Sequence, residues 1–582
     1  MECRLSSFSL FLFPTPSNRI FLKQSRQQPR VLAFQHQHEH YPCQDHDQIT
    51  KKKSIVNINK RINRNDRSLA AAFCDALDDL IDKYSSDAAL HPSVDPRHVL
   101  KDNFAPVGEL PPTPCPVIRG TIPSSLAGGA YIRNGPNPTH PPSGAHHLFE
   151  GDGMLHSLLL PSSEKASAAI FSSRFVETYK YLVECRAGRP IFLSVFSGLR
   201  GLTGIARVLV FLFRVLTMQV DPTQGTGLAN TSLQFSNGRL HALCEYDLPY
   251  AVRLSPDDGD ISTVGRTANV STGSMTAHPK KDPVTGETFS FSYGPIQPYV
   301  TYFRYDRDGN KSGPDVPISS FKEPTFVHDF AITDRYAIFP DIQIVMKPAE
   351  IIRGRRMIGP DLEKVPRLGL LPRYARSDSD MRWFDVPGFN ILHVVNAWEE
   401  EGGDVVVVVA PNVRPIENAI DRFDLLHVSV EMARIDVRRG TLSRTTLSTE
   451  NLDFGVIHPD YTGKKNRYAY LGVGNPMPKI SGVVKLDFEL AGKGECVVAK
   501  REFGVGCFGG EPFFVPASST GEEDDGYVVT YLHDEGKGES SFLVMDARSP
   551  ELEIVAEVAL PRRVPYGFHG LFVTEAELLS QR

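Results

Sequence analysis

The sequence predicts an all-β protein, organised as one large propeller or barrel over most of its 582 residues. From about residue 103 onward it contains short runs rich in β-branched and aromatic residues, such as "RYAYLGVG" and "GYVVTYLHD". Turn sequences such as "SNGR" and "DRDGN" separate these runs, and the strands do not alternate with long helical patterns. A β-propeller or a large barrel accommodates that many strands in a single domain. No clean repeat of about 40–50 residues is found, so a propeller here would have irregular blades.

The N-terminal segment, residues 1–65, differs in composition from the rest of the chain. It carries eleven Lys and Arg residues but only four Asp and Glu residues, together with many Ser, Gln and Asn residues. Its short apolar run is broken by Pro14 and Pro16, and it lacks the small-residue cleavage pattern of a secretory signal. An acid-poor leader of this kind is typical of organelle targeting, so we predict a plastid transit peptide and a plastid location.

Residues 66–102 are predicted to form an N-terminal amphipathic helix and a linker to the β domain, which spans residues 103–582. Apolar residues at helical spacing indicate the helix; they are Leu69, Phe73, Leu77, Leu80 and Ile81. The apolar side of this helix would pack on the main body of the protein or touch a membrane.

A second helical pattern interrupts the strands at residues 195–222. Arg200, Arg207 and Arg214 recur every seven residues, so they share one face of a helix whose other faces are apolar. A basic amphipathic helix with a wide apolar face is typical of membrane-surface contact, and we expect the three arginines to lie at that contact. The alternative is a helix buried in the domain whose arginines reach the solvent.

Composition and cysteine spacing exclude several classes of protein. The formal net charge of −6 provides no overall basic surface for nucleic acid. No apolar run reaches the length of about 18 residues that a transmembrane helix requires. The eight cysteines include no CxxC pair, which fits neither a disulfide framework nor a zinc ribbon.

Four of the eighteen histidines stand in distinctive strand-and-turn sequences: His278, His328, His393 and His569. Their separations of 50, 65 and 176 residues exclude a compact metal-binding motif, so a shared site would have to be assembled by the fold. A metal on one imidazole nitrogen and a carboxylate on the other would satisfy a buried histidine, and an ordinary core histidine is the alternative. Other histidines lie beside turns or in more polar sequence and are expected at the surface: His146, His147, His241, His427, His458 and His533.

Long, ordered motifs carry a resemblance to a known family. They include "GTIPSSLAGGAYIRNGPNP", "FEGDGMLHSL", "TAHPKKDPVTGE", "FVHDFAIT", "RWFDVPGFNILHVVNAWEE", "GKKNRYAYLGVGNPMPKISGVVKLD", "GCFGGEPFFVP" and "LPRRVPYGFHGLF". Through these motifs, residues 100–582 resemble the carotenoid cleavage dioxygenase family, most closely its plant type-four members. The resemblance implies a seven-bladed β-propeller with helical insertions that form a cap over an axial iron site.

The resemblance also implies the residues of that site. One Fe(II) ion per subunit would be bound by His278, His328, His393 and His569. Acidic residues would hydrogen-bond to three of these imidazoles, and they match Glu245, Asp453 and Glu511. Many relatives carry Glu at the second of these positions, and Asp is one methylene shorter, so its contact would need a backbone shift or a water molecule.

The implied activity is oxidative cleavage of one double bond in a carotenoid or apocarotenoid, with O2 as co-substrate. We favour the 9,10 (9′,10′) bond, whose cleavage gives a C13 ionone-type ketone and an apocarotenal. A polyene isomerase and a non-catalytic carotenoid-binding propeller are the alternatives. Because these substrates dissolve in lipid, we expect peripheral contact with a thylakoid or plastoglobule surface. We also expect the protein to be a monomer.

Overall fold

The computed structural model describes residues 68–86, 90–142, 144–162, 168–267, 272–518 and 521–582, so the predicted transit peptide lies outside the described residues. These residues form a β-propeller of antiparallel blades, and the all-β prediction is confirmed. The described ranges contain five α-helices: α1 (Leu69–Ser86), α2 (Pro96–Val99), α3 (Tyr179–Ala187), α4 (Gly201–Leu216) and α5 (Glu575–Leu579). The first of them is the helix predicted within residues 66–102.

The first five strands belong to the part of the ring where the propeller closes. They are β1 (Leu110–Cys115), β2 (Val117–Gly120), β3 (Ala130–Asn137), β4 (Asp152–Leu159) and β5 (Ala169–Phe175). Blade 1 follows and consists of β6 (Ser232–Ser236), β7 (Arg239–Leu243), β8 (Tyr250–Leu254) and β9 (Ile261–Arg266). Blade 2 consists of β10 (Lys280–Lys281), β11 (Thr288–Tyr293), β12 (Val300–Tyr305) and β13 (Val316–Pro317).

Blades 3 and 4 are also four-stranded sheets. Blade 3 contains β14 (Ala331–Ile332) and β15 (Tyr336–Asp341), then an inserted hairpin of β16 (Ile344–Met346) and β17 (Ile358–Pro360), and finally β18 (Arg367–Pro372) and β19 (Arg382–Asp385). Blade 4 consists of β20 (Asn396–Glu400), β21 (Val405–Arg414), β22 (His427–Asp436) and β23 (Thr441–Ser448).

A ten-stranded sheet supplies the next two blades. Blade 5 consists of β24 (Leu452–Val456), β25 (Tyr468–Gly474), β26 (Ile480–Asp487) and β27 (Val497–Glu502). The short strand β28 (Cys507–Gly509) joins it to blade 6, which consists of β29 (Phe513–Pro516), β30 (Gly526–Asp534), β31 (Glu539–Asp546), β32 (Ile554–Ala559) and the N-terminal β2. Blade 7 has the order β1-β5-β4-β3-β33, where β33 (Gly570–Val573) is the last strand of the chain. The ring of seven blades is therefore closed by strands from both ends of the sequence.

Local sequence explains why these segments form blades. Asn237 and Gly238 both have positive φ in the two-residue link between β6 and β7, which is the turn that "SNGR" predicts for a tight hairpin. In β21 the run of valines is buried on both faces, because the strand lies inside a blade that has a neighbour on each side. Val406 and Val408 pack in the core shared with blade 3, whereas Val407 and Val409 pack in the core shared with blade 5.

The arginine-bearing helix α4 packs against α1, and this arrangement corrects the prediction for its basic residues. Arg214 is only 2% exposed, and its guanidinium pairs with Asp75 and Asp78 of α1 at 2.7 Å each. Arg207 pairs with Asp82 of the same helix at 2.6 Å. The prediction of membrane contact is therefore wrong for Arg214, because this residue is buried between the two helices. Arg207 is partly exposed, and membrane contact at that residue stays a prediction.

At the start of α4, Arg200 is exposed and lies outside this set of ion pairs; its Nε–H donates to the Gly354 carbonyl at 3.4 Å. The outward side of α4 is apolar: Leu202, Leu209, Leu212, Phe213, Leu216 and Met218 are all exposed. Exposed apolar residues of α1 are Leu69, Phe73, Leu80 and Tyr84, and Phe73 meets Phe213 edge to face at 6.0 Å between ring centroids. We call these ten residues the two-helix apolar face. Within the described residues, no helix combines the length and apolarity needed to span a bilayer.

Several histidines expected at the surface are buried instead: His146, His147, His458 and His533. Two of these imidazoles find hydrogen-bond partners elsewhere in the fold. His147 donates from Nε2 to the Ile420 carbonyl at 2.9 Å, and His533 Nδ1 lies 2.9 Å from Ser540 Oγ. The prediction was wrong because the fold shields these positions from water and brings acceptors from other segments to the imidazoles.

Candidate metal centre

The four histidines singled out in the sequence come together in space. Each lies one to three residues before an edge strand of its blade: His278 precedes β10, His328 precedes β14, His393 precedes β20 and His569 precedes β33. One ligand nitrogen from each imidazole lies within 4.8 Å of all the others. These edge strands of blades 2, 3, 4 and 7 therefore begin around one point, which places this cluster on the propeller axis.

The spacing of the nitrogens suits a single metal ion. His328 Nε2 lies 3.1 Å from His278 Nε2 and 3.2 Å from His393 Nε2. Two imidazole nitrogens bound at right angles to one ion, at about 2.1 Å each, would lie about 3.0 Å apart. A tetrahedral arrangement would separate them by about 3.4 Å. The observed distances lie between these two values, so the neighbouring imidazoles are spaced to share one ion.

Carboxylates occupy the other nitrogen of three imidazoles. His393 Nδ1 lies 2.9 Å from Asp453 Oδ1, and His569 Nδ1 lies 2.9 Å from Glu511 Oε1. The Nδ1 of His328 makes a short hydrogen bond to Glu245 Oε1. Each contact fixes the ring orientation and leaves Nε2 facing the axis. For His278, the described residues offer no carboxylate at Nδ1.

The three acids come from the blades that supply no histidine. Glu245 follows β7 of blade 1, Asp453 lies in β24 of blade 5, and Glu511 precedes β29 of blade 6. Asp453 reaches its histidine directly, without a bridging water. The strand is irregular at that point, because the pairing register shifts between Asp453 and Val456 and Phe454 adopts a positive φ of 55°.

Electrostatics favour a neutral His278 and an ionised Asp453. Burial and the neighbouring imidazoles hold the pKa of His278 well below its usual range, so one of its ring nitrogens keeps a free lone pair. Burial acts in the same direction at His393, but the Asp453 carboxylate outweighs it and raises the pKa of that histidine. The same attraction overcomes burial at Asp453 and lowers the pKa of the carboxyl. An ionised Asp453 can then balance part of a metal charge.

The sequence analysis missed Tyr293, at the end of β11. Its hydroxyl donates to Glu245 Oε2 at 2.5 Å, so the tyrosine holds the carboxylate that orients His328. No signal in the sequence separates this tyrosine from others at strand ends, because the contact joins blades 1 and 2.

An aromatic series of two separate groups of contacts lies between α4 and the histidine cluster. Phe211 of α4 lies 5.8 Å from Phe192, which is in the segment between α3 and α4. In the same segment, Phe196 lies 6.2 Å from Phe326. Phe326 in turn stacks on His328 with 6.0 Å between ring centroids and 6° between ring planes. The segment that carries Phe192 and Phe196 therefore has aromatic contacts both at α4 and beside the cluster.

The donor set limits the chemistry that the site can support. Four imidazoles suit iron, copper, nickel or zinc, and in a six-coordinate ion they leave two positions for small molecules. They carry no negative charge that would cancel the charge of a divalent ion. The apolar surroundings suit a hydrophobic substrate, and the cluster itself contains no nucleophile of the serine or cysteine type.

The chain is similar to several known proteins. Residues 104–574 match the family described as retinal pigment epithelial membrane protein. The chromoplastic zeaxanthin 7,8(7′,8′)-cleavage dioxygenase of Crocus sativus is 86% identical over 369 residues, which are 63% of this chain and 100% of that relative. The chloroplastic probable carotenoid cleavage dioxygenase 4 of Arabidopsis thaliana is 52% identical over 554 residues, which cover 92% of each chain.

Among solved structures, a lignostilbene dioxygenase from Pseudomonas brassicacearum is similar, with a TM-score of 0.70. The similarity covers 84% of this chain and 100% of that protein. At 23% identity, it shows the shared fold.

Proposed function

This chain belongs to the carotenoid cleavage dioxygenase family, and from that premise we propose that its four histidines hold one Fe(II) ion with which it cleaves a carotenoid or apocarotenoid. The observation that carries the proposal is the convergence of His278, His328, His393 and His569, three of them oriented by carboxylates. When bound, Fe(II) supplies the activation of O2.

The residues of the chain then have three tasks. The histidines hold the ion, and Glu245, Asp453 and Glu511 keep the imidazoles in the orientation that binds it. The aromatic series from Phe211 to Phe326 gives a polyene an apolar environment beside His328 and disfavours water. No acid or base from the protein is required, because the oxygen atoms of both products come from O2.

The double bond that we propose is 9,10 (9′,10′). The Crocus sativus relative is named for cleavage at 7,8(7′,8′), so the two positions are competing predictions. Cleavage at these two positions gives chemically distinct products. Carbon 9 of a carotenoid carries a methyl group and leaves as a ketone, whereas cleavage at 7,8 gives two aldehydes.

Product analysis with labelled oxygen tests the proposal. We expect the full chain, supplied with Fe(II), 18O2 and a small panel of carotenoids and apocarotenoids, to give two carbonyl products that each carry one labelled atom. Mass spectrometry identifies the bond from the product masses. An unlabelled isomer would support the polyene isomerase instead, and intact bound substrate would support the non-catalytic carotenoid-binding protein.

We also propose that the protein works in the plastid, where its two-helix apolar face contacts a thylakoid or plastoglobule lipid surface. The relatives named chromoplastic and chloroplastic support the compartment. Two features support the lipid contact: the face is contiguous across α1 and α4, and the aromatic series begins beneath α4. Since Arg207 and Arg214 are paired within the protein, hydrophobic contact would dominate the binding.

Flotation with phosphatidylcholine vesicles tests the lipid contact. We expect the Leu209→Glu/Leu216→Glu variant to lose more than about tenfold in vesicle binding, because two exposed leucines leave the lipid contact. Val505→Glu is the control, since Val505 is an apolar residue that is fully exposed and lies outside the two-helix apolar face. Equal binding by both variants would contradict the proposal.

A further inference from the structure

Asp329 is a buried carboxylate directly beside the histidine cluster, and the proposed mechanism gives it no role. It follows His328 in the sequence, and the residue is only 2% exposed. Its Oδ1 atom lies 2.7 Å from Lys280 Nζ and accepts the backbone N–H of Phe330 at 2.7 Å. Its Oδ2 atom accepts the backbone N–H of Val394 at 2.8 Å.

These contacts connect three blades at the level of the ligands. Lys280 stands two residues after His278 and opens β10 of blade 2. Val394 stands one residue after His393 and two residues before β20 of blade 4. One carboxylate of blade 3 therefore contacts the segments that carry the histidines of both neighbouring blades.

We propose that Asp329 is a positioning residue that sets the mutual spacing of three metal ligands, His278, His328 and His393. The proposal rests on the metal role given to these histidines above. A carboxylate that accepts hydrogen bonds from a cation and from two backbone N–H groups is held strongly, because charge-assisted hydrogen bonds are short and directional. Any movement of blade 2 or blade 4 relative to blade 3 would stretch one of the contacts.

The fourth ligand has an analogous carboxylate. Glu511 binds His569 Nδ1 through one oxygen and accepts the backbone N–H of Gly570 at 2.8 Å through the other. Glu511 thus holds both an imidazole and the backbone that carries it. Asp329 differs because it contacts no imidazole and acts only through the chain segments beside the ligands.

Asp329→Asn tests this role with little change in volume. The amide has one oxygen, so it cannot accept hydrogen bonds from Val394 and Phe330 on opposite oxygens and also pair with Lys280. We expect the affinity for Fe(II) to fall about 10–100-fold, which is the usual effect of losing a group that orients metal ligands. Lys280→Met removes only the contact with blade 2, and we expect a loss of about tenfold.

Asp282→Asn is the matched control. Asp282 is also buried, and it pairs with Arg373 across the interface of blades 2 and 3 at 2.8 Å. It likewise accepts two backbone N–H groups, from Val284 and Thr285. It differs from Asp329 in lying at the end of β10 that is farther from His278. Asp282→Asn should therefore lower the stability of the protein through a similar loss of buried contacts, without moving the metal ligands.

The experiment measures metal binding in the full chain without turnover. Each variant is titrated with Fe(II) against a chelator of known affinity, and the Co(II)-loaded protein is examined by visible absorption, whose d–d bands report ligand geometry. We expect Asp329→Asn to bind Fe(II) more weakly than the wild type and to shift the Co(II) bands. Asp282→Asn should match the wild type in both measurements while its unfolding temperature falls.

The outcomes separate this inference from the proposed function. Equal metal affinities and Co(II) spectra for Asp329→Asn and Asp282→Asn would overturn the role of Asp329. Should Asp329→Asn fail to fold, Lys280→Met decides, and a Lys280→Met protein with wild-type affinity and spectrum would overturn it. If the wild-type chain itself bound no metal, the proposed function would be wrong and this inference would lose its premise.

Discussion

Asp453 contacts His393 because the backbone approaches the histidine at that position. The shifted pairing register of β24 and the positive φ of Phe454 accompany a direct contact of 2.9 Å, although Asp has one methylene fewer than Glu. A bulky residue in the left-handed region is strained, and such strain persists only where surrounding contacts impose it. Here Phe454 packs beside His393 and His569, at 5.4 Å and 5.7 Å between ring centroids.

The first residue-scale prediction concerns this contact. Asp453→Asn keeps the size of the side chain but removes the charge that holds His393, so we expect the affinity for Fe(II) to fall about 10–100-fold. Chelator competition measures the change. Asp487→Asn is a suitable control, because Asp487 is a buried, ion-paired aspartate at the far end of β26 in the same blade. An unchanged affinity in Asp453→Asn would mean that the contact does not orient the ligand.

Sequence reasoning identified the four histidines because they stand in unusual strand-end contexts within motifs of a known family. It did not identify Tyr293, and it placed His147 at the surface. Both residues depend on partners far away in the sequence: Glu245 is in another blade, and the Ile420 carbonyl lies 273 positions from His147. Such contacts are created by the fold and leave no local pattern.

At the scale of elements, α1 and α4 act as one unit. The seven-residue spacing of Arg207 and Arg214 correctly predicted a shared helix face, but not the neighbour of that face. The neighbour is α1, which carries Asp75, Asp78 and Asp82 at matching positions. The composition of α4 alone could not reveal this pairing, because a basic face suits an acidic helix as well as an anionic lipid surface.

The element-scale prediction tests the pairing. Arg214→Met leaves Asp75 and Asp78 without their main cation, and breaking a buried pair in this way costs about 3 kcal/mol, or more than a hundredfold in a local opening equilibrium. We therefore expect faster amide hydrogen exchange in residues 69–86, measured by mass spectrometry. Arg200→Met is the control, because Arg200 lies outside the ion pairs that join α1 to α4. Unchanged exchange in α1 would show that other contacts hold the helix.

At the scale of the whole molecule, the ring depends on strand β33. It pairs with β3 over Ala130–Arg133, and the residue before it is His569. The N–H of Asn134 also donates to the His569 carbonyl at 3.0 Å, and the N–H of Phe568 donates to the Asn134 carbonyl at 2.9 Å. Ring closure and the fourth ligand are thus built by the same contacts.

The whole-molecule prediction separates these two roles. Removal of residues 564–582 should abolish metal binding and also lower the unfolding temperature, because blade 7 loses the strand that closes the ring. His569→Ala should also abolish tight metal binding. Unlike the truncation, it should leave the unfolding temperature of the metal-free protein close to that of the wild type. Calorimetry of the metal-free proteins and metal titration make the comparison. A truncated protein as stable as the wild type would contradict the closing role of β33.

The sequence predicted the β architecture of the whole molecule, but by itself it allowed a barrel as well as a propeller. The valine run of β21 illustrates the reason. It predicts a strand buried on both faces, yet only the structure shows that Val406 and Val407 face two different neighbouring blades. Blade number depends on how irregular sheets pack around an axis, and the long insertion between β15 and β18 conceals any repeat.

Because β33 closes the ring, the ring and the metal site are completed late in the synthesis of the chain. The ribosome completes β5 roughly 400 residues before it reaches β33, and at about 5–20 residues per second that interval lasts roughly 20–80 s. Throughout this time the edge of β3 that later pairs with β33 has no partner. His278, His328 and His393 are synthesised in this interval, before His569 exists. Metal loading of the complete site must therefore follow the synthesis of His569.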